Sequence, residues 1–196
     1  MNFLAHYFLS PEDDQIALGN LIADAVKGKE FEKYNDKIKN GILLHREIDN
    51  YTDKHPVFRR SAQKLNARYK KYSGVIIDIY YDHFLAKNWN DYSKTDLVDF
   101  VSQAYKILIK NYFILPKKIK RILPFMIAQN WLVGYANLND LQRVFNGMAR
   151  RTTFDSGMEN AIFDLKNNYT TFENDFREFF PDLIEFCKNH IISPKN

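Results

Sequence analysis

One cysteine, seven glycines and six prolines in 196 residues exclude several architectures at once. Cys187 alone cannot close an internal disulfide and has no partner thiols for a zinc-thiolate site, so the expected compartment is a reducing cytoplasm. No apolar run approaches the roughly 20 residues of a membrane span. The start, MNFLAHYFLS, is apolar but lacks a basic leader and carries a histidine, so it does not read as a signal peptide. Repeats, low-complexity tracts and linkers are missing too, which predicts a single domain over residues 1–196. Strand-type alternation is scarce, and with so few turn formers the chain reads as all-α, a helical bundle.

What is present is the balance of a folded protein, 45% hydrophobic and 27% charged residues. The formal charge of +4 favours an acidic partner but is too modest to indicate nucleic acid. Lys117, Lys118, Lys120 and Arg121 form the only dense basic run.

Ser10, Pro11 and Asp13 should open a helix that runs to about Lys27-Gly28. Further helices are expected over about 36–53, 56–72 and 75–89. Ser93 and Asp96 make a capping-box-like start for a helix that stops near Pro116. Others follow over about 118–135, with a kink or break at Pro124, and 138–150; a long one over 157–190 is interrupted near Pro181.

The stretch HREIDNYTD, residues 45–53, spaces His45, Asp49 and Asp53 four apart, which puts them on one helical face. Solvated carboxylates that close repel by roughly 0.2–0.5 kcal/mol, more in a shared cleft, so an intervening cation is a natural compensation. Asp24, near the end of its predicted helix, opposes the helix dipole at a cost of roughly 0.3–1 kcal/mol. Asp78 and Asp82 repeat the spacing of four, and His83 follows directly. Imidazole nitrogen mixed with carboxylate oxygen suits Mn²⁺, Fe²⁺ or Zn²⁺. Asp24, His45, Asp49, Asp82 and His83 therefore form a candidate ligand set spread over three helices, where helical metalloenzymes build their sites.

Each residue also has a plain structural reading. His45 and Asp49 can be an ordinary i,i+4 pair, and Asp82 can pair with Lys87. His6 sits among apolar neighbours as a core histidine would, His55 precedes a proline in a polar turn, and His190 is a helix-end or tail cation. Tyr80, Tyr81, Phe84 and Trp89 either line a cleft or fill the core.

The blocks MNFLAH (1–6), GNLIADAVKG (19–28), HREIDNYTD (45–53), DIYYDHFLAKNW (78–89) and NWLVGYANLNDLQRVFNGMARR (130–151) resemble the acyl carrier protein phosphodiesterases, in that family's order over most of the chain. The resemblance implies a fold distantly related to the HD-type phosphohydrolases and a divalent-cation requirement, with Mn²⁺ the usual activator and Mg²⁺, Co²⁺ or Fe²⁺ as substitutes. The implied reaction removes 4′-phosphopantetheine from the serine of holo acyl carrier protein. The superfamily's adjacent His-Asp pair is missing here, and the only adjacent pair, Asp82-His83, runs in reverse.

On that resemblance the expected metal ligands are Asp24, His45, Asp82 and His83, with His6 in reserve. Asp49 is expected to orient a ligand or accept the proton of the attacking water, and Asp24 shares the catalytic role. Arg46, Asn20 and Lys27 are expected at the phosphate. Because acyl carrier proteins are acidic, Arg59, Arg60, Lys64, Arg143, Arg150 and Arg151 are candidates to steer docking. Two other readings stay open: a hydrolase of another phosphoester, and a non-catalytic helical protein that binds an acidic partner.

Overall fold

The computed structural model describes residues 2–153 and 155–192, with the side chains of 190–192 outside the description. Among the described residues there are helices and 3-10 turns and no strand, as expected. In chain order the helices are α1 (Phe3–Phe8), α2 (Asp14–Ile22), α3 (Asp36–Lys54), α4 (Pro56–Tyr69), α5 (Ser73–Lys87) and α6 (Leu97–Lys110). They continue with α7 (Lys117–Ala128), α8 (Trp131–Gly134), α9 (Leu138–Ala149), α10 (Ala161–Asn167) and α11 (Tyr169–Ile192). No helix among the described residues is long and apolar enough to cross a membrane.

Local chemistry sets the boundaries. Asp13 accepts from the N–H groups of Gln15 and Ile16 and starts α2 three residues later than the Ser10-Pro11 signal suggested. That helix ends at Ile22, and Ala23–Ala25 continues as a 3-10 turn, so Asp24 lies beyond the α-helix. Asn35 caps α3 through the Ile38 N–H, while Ile38, Ile42, His45, Ile48 and Thr52 turn inward. His55 is more than a turn residue: it accepts from the Val57 N–H to cap α4 and reaches Asp182 at 3.2 Å. Ser93 does not cap α6; Asp96 does, through the Val98 N–H.

Neither proline marks a break. Pro124 lies inside α7 and Pro181 inside α11, while the chain stops after Ala128, where Asn130 takes a left-handed φ of 46°, and at Asn168. The segment Phe3–Phe8, which carried no helix prediction, is helical because Asp82 holds its first turn, as described below.

The buried apolar residues form one cluster. Tyr80, Tyr81 and Phe84 of α5 pack with Phe172, Phe176 and Phe179 of α11, in T-shaped, tilted and stacked ring contacts. Together with Trp89 these aromatics are core. Cys187 belongs to the same interior, and burial pushes its thiol up to about 12. A disulfide-exchange reagent is expected to label it only as fast as the protein opens, so that labelling follows unfolding in a denaturant series. Prompt labelling under native conditions would mean that the end of α11 frays independently.

At the crossing of α2 and α3 the two backbones touch. A Cβ on Gly19 would lie 2.1 Å from the Ile38 carbonyl oxygen, and one on Gly41 would lie 2.0 Å from that of Ile16. Only glycine at both places permits this approach, and it sets Asn20 of α2 against His45 of α3.

Candidate metal and phosphoester site

His6 from α1, His45 and Asp49 from α3 each offer one donor atom, all within 4.8 Å of one another. The two imidazoles stack with centroids 3.7 Å apart at 13°. Asn20 orients both. Its backbone carbonyl accepts from His45 Nδ1–H at 2.8 Å, and its side-chain oxygen lies 3.0 Å from His6 Nδ1 and 3.2 Å from His45 Nδ1. The amide is itself fixed, since Nδ2 donates to the His6 carbonyl at 2.7 Å and to Ser10 Oγ at 2.9 Å. With both Nδ1 atoms acting as donors, the Nε2 atoms must carry the lone pairs of the neutral rings.

Those Nε2 atoms face acceptors. His6 Nε2 is 3.2 Å from Asp49 Oδ1, and His45 Nε2 is 3.2 Å from Asp49 Oδ2 and 3.3 Å from Asp24 Oδ1. Two imidazole lone pairs and two carboxylates cannot stabilise one another unless a proton or a cation lies between them. Burial works against charge on His45, but Asp24 and Asp49 outweigh it and raise the ring to about 9. Burial, and then the neighbouring His45, lower His6 to about 4. Burial likewise opposes charge on Asp49, yet the neighbouring His45 and His6 hold its carboxyl below the usual range. The bond from His45 does the same for Asp24. The histidines are buried, whereas the carboxylates are 56% (Asp24) and 40% (Asp49) exposed, so the cluster opens to solvent on its acidic side.

The structure thus brings together Asp24, His45, Asp49 and His6, and leaves out Asp82 and His83. Asp82 is fully buried and accepts from the N–H groups of Asn2, Leu4 and Ala5 at 3.2, 2.9 and 3.4 Å. It anchors the start of α1 and so positions His6; burial raises its carboxyl to about 7. His83 Nδ1–H donates to the Tyr135 carbonyl at 2.7 Å, which leaves Nε2 to accept from the Tyr169 hydroxyl at 2.9 Å. Both ring nitrogens are occupied. The adjacency of these two residues in sequence sends them 100° apart around α5, into different surroundings.

The expected phosphate ligands are also redistributed. Asn20 is fully buried and committed to the two histidines. Arg46 donates to the Val26 and Gly28 carbonyls at 3.3 and 2.8 Å and stacks over Phe31, bracing the segment that follows Asp24. Lys27 and Arg150 are exposed, and Arg151 borders a cleft next to Asp24. Asp53 is exposed, so only two of the three acids and imidazoles spaced along α3 join the cluster. Asp78 is half-buried, and burial raises its carboxyl.

Comparison with known proteins bears on what this cluster serves. The family model described as acyl carrier protein phosphodiesterase matches residues 1–183. The acyl carrier protein phosphodiesterase of Photorhabdus laumondii is 34% identical over 190 residues, covering 96% of each chain. That of Yersinia enterocolitica is 30% identical over 185 residues, 94% of this chain and 96% of the relative. No solved structure gives a significant match. A match that spans the first ten helices, most of α11 and every member of the histidine-carboxylate cluster places the whole arrangement within one lineage: the chain belongs to the acyl carrier protein phosphodiesterase family.

Proposed function

We propose that the chain hydrolyses holo acyl carrier protein to the apo protein and 4′-phosphopantetheine, with a divalent cation held by His6, His45, Asp49 and Asp24. The observation that carries this reading is the convergence of His6 Nε2 and His45 Nε2 on the two oxygens of Asp49 at 3.2 Å each, with Asp24 Oδ1 3.3 Å from His45 Nε2. Nitrogen mixed with oxygen suits Mn²⁺, Fe²⁺ and Co²⁺, and Mn²⁺ is the preferred assignment. Such a cation supplies charge neutralisation at the phosphoryl oxygens and makes water a competent nucleophile near neutral pH.

The chain's own groups do the rest. Asn20 fixes the tautomer and tilt of both histidines, and Asp49 bridges their Nε2 atoms. Asp24 spends one oxygen on His45, lies half in solvent beside a cleft, and is held ionised, which suits it to take the proton of the attacking water. The balance is simple: water oxygen bonds to phosphorus, the phosphorus bond to the serine oxygen breaks, and the proton taken from water ends on the serine hydroxyl.

Intact-mass spectrometry of holo acyl carrier protein, incubated with the purified protein and Mn²⁺ or with chelator, tests the reading. Loss of the phosphopantetheine mass with Mn²⁺ and none with chelator is the expected result. An intact prosthetic group in both, with turnover of a small phosphodiester, would move the assignment to another phosphoester.

A further inference from the structure

A cavity of about 540 Å³ lies between α7, α8 and α9, and Asp24 forms part of its wall, so it adjoins the histidine-carboxylate cluster. Phe3, Ile122, Trp131, Val144 and Met148 make much of its lining apolar. Lys118, Arg121, Arg143 and Arg151 line it as well, four cations against the two carboxylates Asp24 and Asp140. Arg143 is 3.0 Å from Asp140, whereas Lys118, Arg121 and Arg151 pair with no carboxylate among the described residues.

The basic residues on α4 are disposed differently. Arg60 and Lys64 reach the buried Asp175 at 2.6 and 2.5 Å, Arg60 also reaches Glu178 at 2.6 Å, and Arg68 reaches Asp164 at 3.0 Å. The charge of these three is matched within the fold by α10 and α11, while Arg59 donates to the Asp53 backbone carbonyl at 2.9 Å. Three unmatched cations thus line the α7–α9 cleft itself, where they attract anions. Phe125 in the lining is 58% exposed, and Phe113, in the turn that leads into α7, is 91% exposed. Exposed aromatics beside unpaired arginines have the composition of a protein-binding surface.

We infer, on the strength of the phosphodiesterase reading, that the α7–α9 cleft is the docking surface for the acidic carrier protein. The pantetheine arm lies along the apolar wall with its phosphodiester at the Asp24 end. Carboxylates of the carrier meet Lys118, Arg121 and Arg151 at the rim. Arg60 and Lys64, held by Asp175, take no part.

Steady-state kinetics on holo acyl carrier protein at low ionic strength, with Mn²⁺ present, test this. Arg121→Glu/Arg151→Glu should raise KM by at least about tenfold with kcat within about threefold, the difference shrinking at high salt. Inhibition by apo carrier protein, which lacks the arm, should weaken in parallel. Lys166→Glu/Lys188→Glu, an equal change of charge on α10 and α11, should alter KM by less than about twofold. Val144→Trp narrows the apolar wall without changing charge; it should lower kcat/KM by at least about tenfold and leave apo-carrier inhibition unchanged. All variants should unfold cooperatively within a few degrees of wild type. An unaltered KM in the double variant, with active wild type, overturns the docking surface alone. Unaltered kcat/KM in Val144→Trp removes the arm from the cleft. A wild type that releases no phosphopantetheine overturns the phosphodiesterase reading and the docking surface with it.

Discussion

Gly41→Ala is expected to destabilise the protein by about 2–4 kcal/mol, although the same change in an unhindered helix interior gains about 1 kcal/mol from propensity. The added methyl would fall 2.0 Å from the Ile16 carbonyl oxygen and 2.9 Å from the Gly19 Cα, both backbone atoms. A side chain could rotate away; a helix backbone must translate. Parting α2 from α3 lengthens the 2.8 Å bond from His45 Nδ1–H to the Asn20 carbonyl, so the substitution should also weaken cation binding in the molecules that remain folded. Denaturant unfolding and equilibrium dialysis against Mn²⁺ measure the two effects. Gly134→Ala is the internal contrast, since its methyl would lie 3.2 Å from the Asp140 Cβ, an overlap that a shift of a few tenths of an ångström relieves, and its cost should stay below about 1 kcal/mol. Equal effects at the two positions would mean that the close crossing of α2 and α3 does not order the site.

This crossing also shows which parts of the fold were legible in the sequence. The helices that carry their own caps and apolar stripe, α3 with Asn35 and Ile38, Ile42 and Ile48, or α4 with Pro56, could be placed within a residue or two at most ends because those signals are local. Gly19 and Gly41 look like ordinary helix weaknesses until the partner helix is known. Phe3–Phe8 is too short to be helical on propensity, and its first turn is satisfied by Asp82, nearly eighty residues away. Pro124 and Pro181 were expected to interrupt helices, yet both are carried within them, because burial of Leu123 and Met126, and of Phe179, Phe180 and Leu183, outweighs the lost hydrogen bond.

The site divides along the same line. His45 and Asp49 share a helix face at a spacing of four, so their proximity follows from helix geometry alone. Asp24 was marked by its awkward place near a helix end, and it does reach His45. His6 had no signal beyond being a histidine in an apolar segment; stacking on His45 through the shared Asn20 is a tertiary fact. Asp82 and His83 looked like ligands because an acid and an imidazole stood together. Burial next to a helix N-terminus and between two tyrosines gives each a structural task that composition cannot reveal.

His45→Ala should abolish cation retention and lower turnover by about three orders of magnitude or more, while His83→Ala should leave both within a few-fold in the folded protein. His45 Nε2 is the atom that meets both Asp24 and Asp49, so its loss leaves two carboxylates facing His6 across a gap. Removing the His83 ring strands the Tyr135 carbonyl and the Tyr169 hydroxyl and opens a void beside Phe84, a cost of about 2–4 kcal/mol in stability. Asp82→Asn belongs with His83. It keeps the shape of the acceptor but exchanges one oxygen for a donor facing the α1 N–H groups, so it should loosen α1 and lower Mn²⁺ affinity only through His6. Metal content by atomic spectroscopy, turnover of holo carrier protein and thermal unfolding, measured on the same three preparations, separate the two kinds of effect. A His83→Ala protein that unfolds like wild type but retains no cation would put His83 back among the ligands, and the cluster around Asn20 would then be a structural polar core.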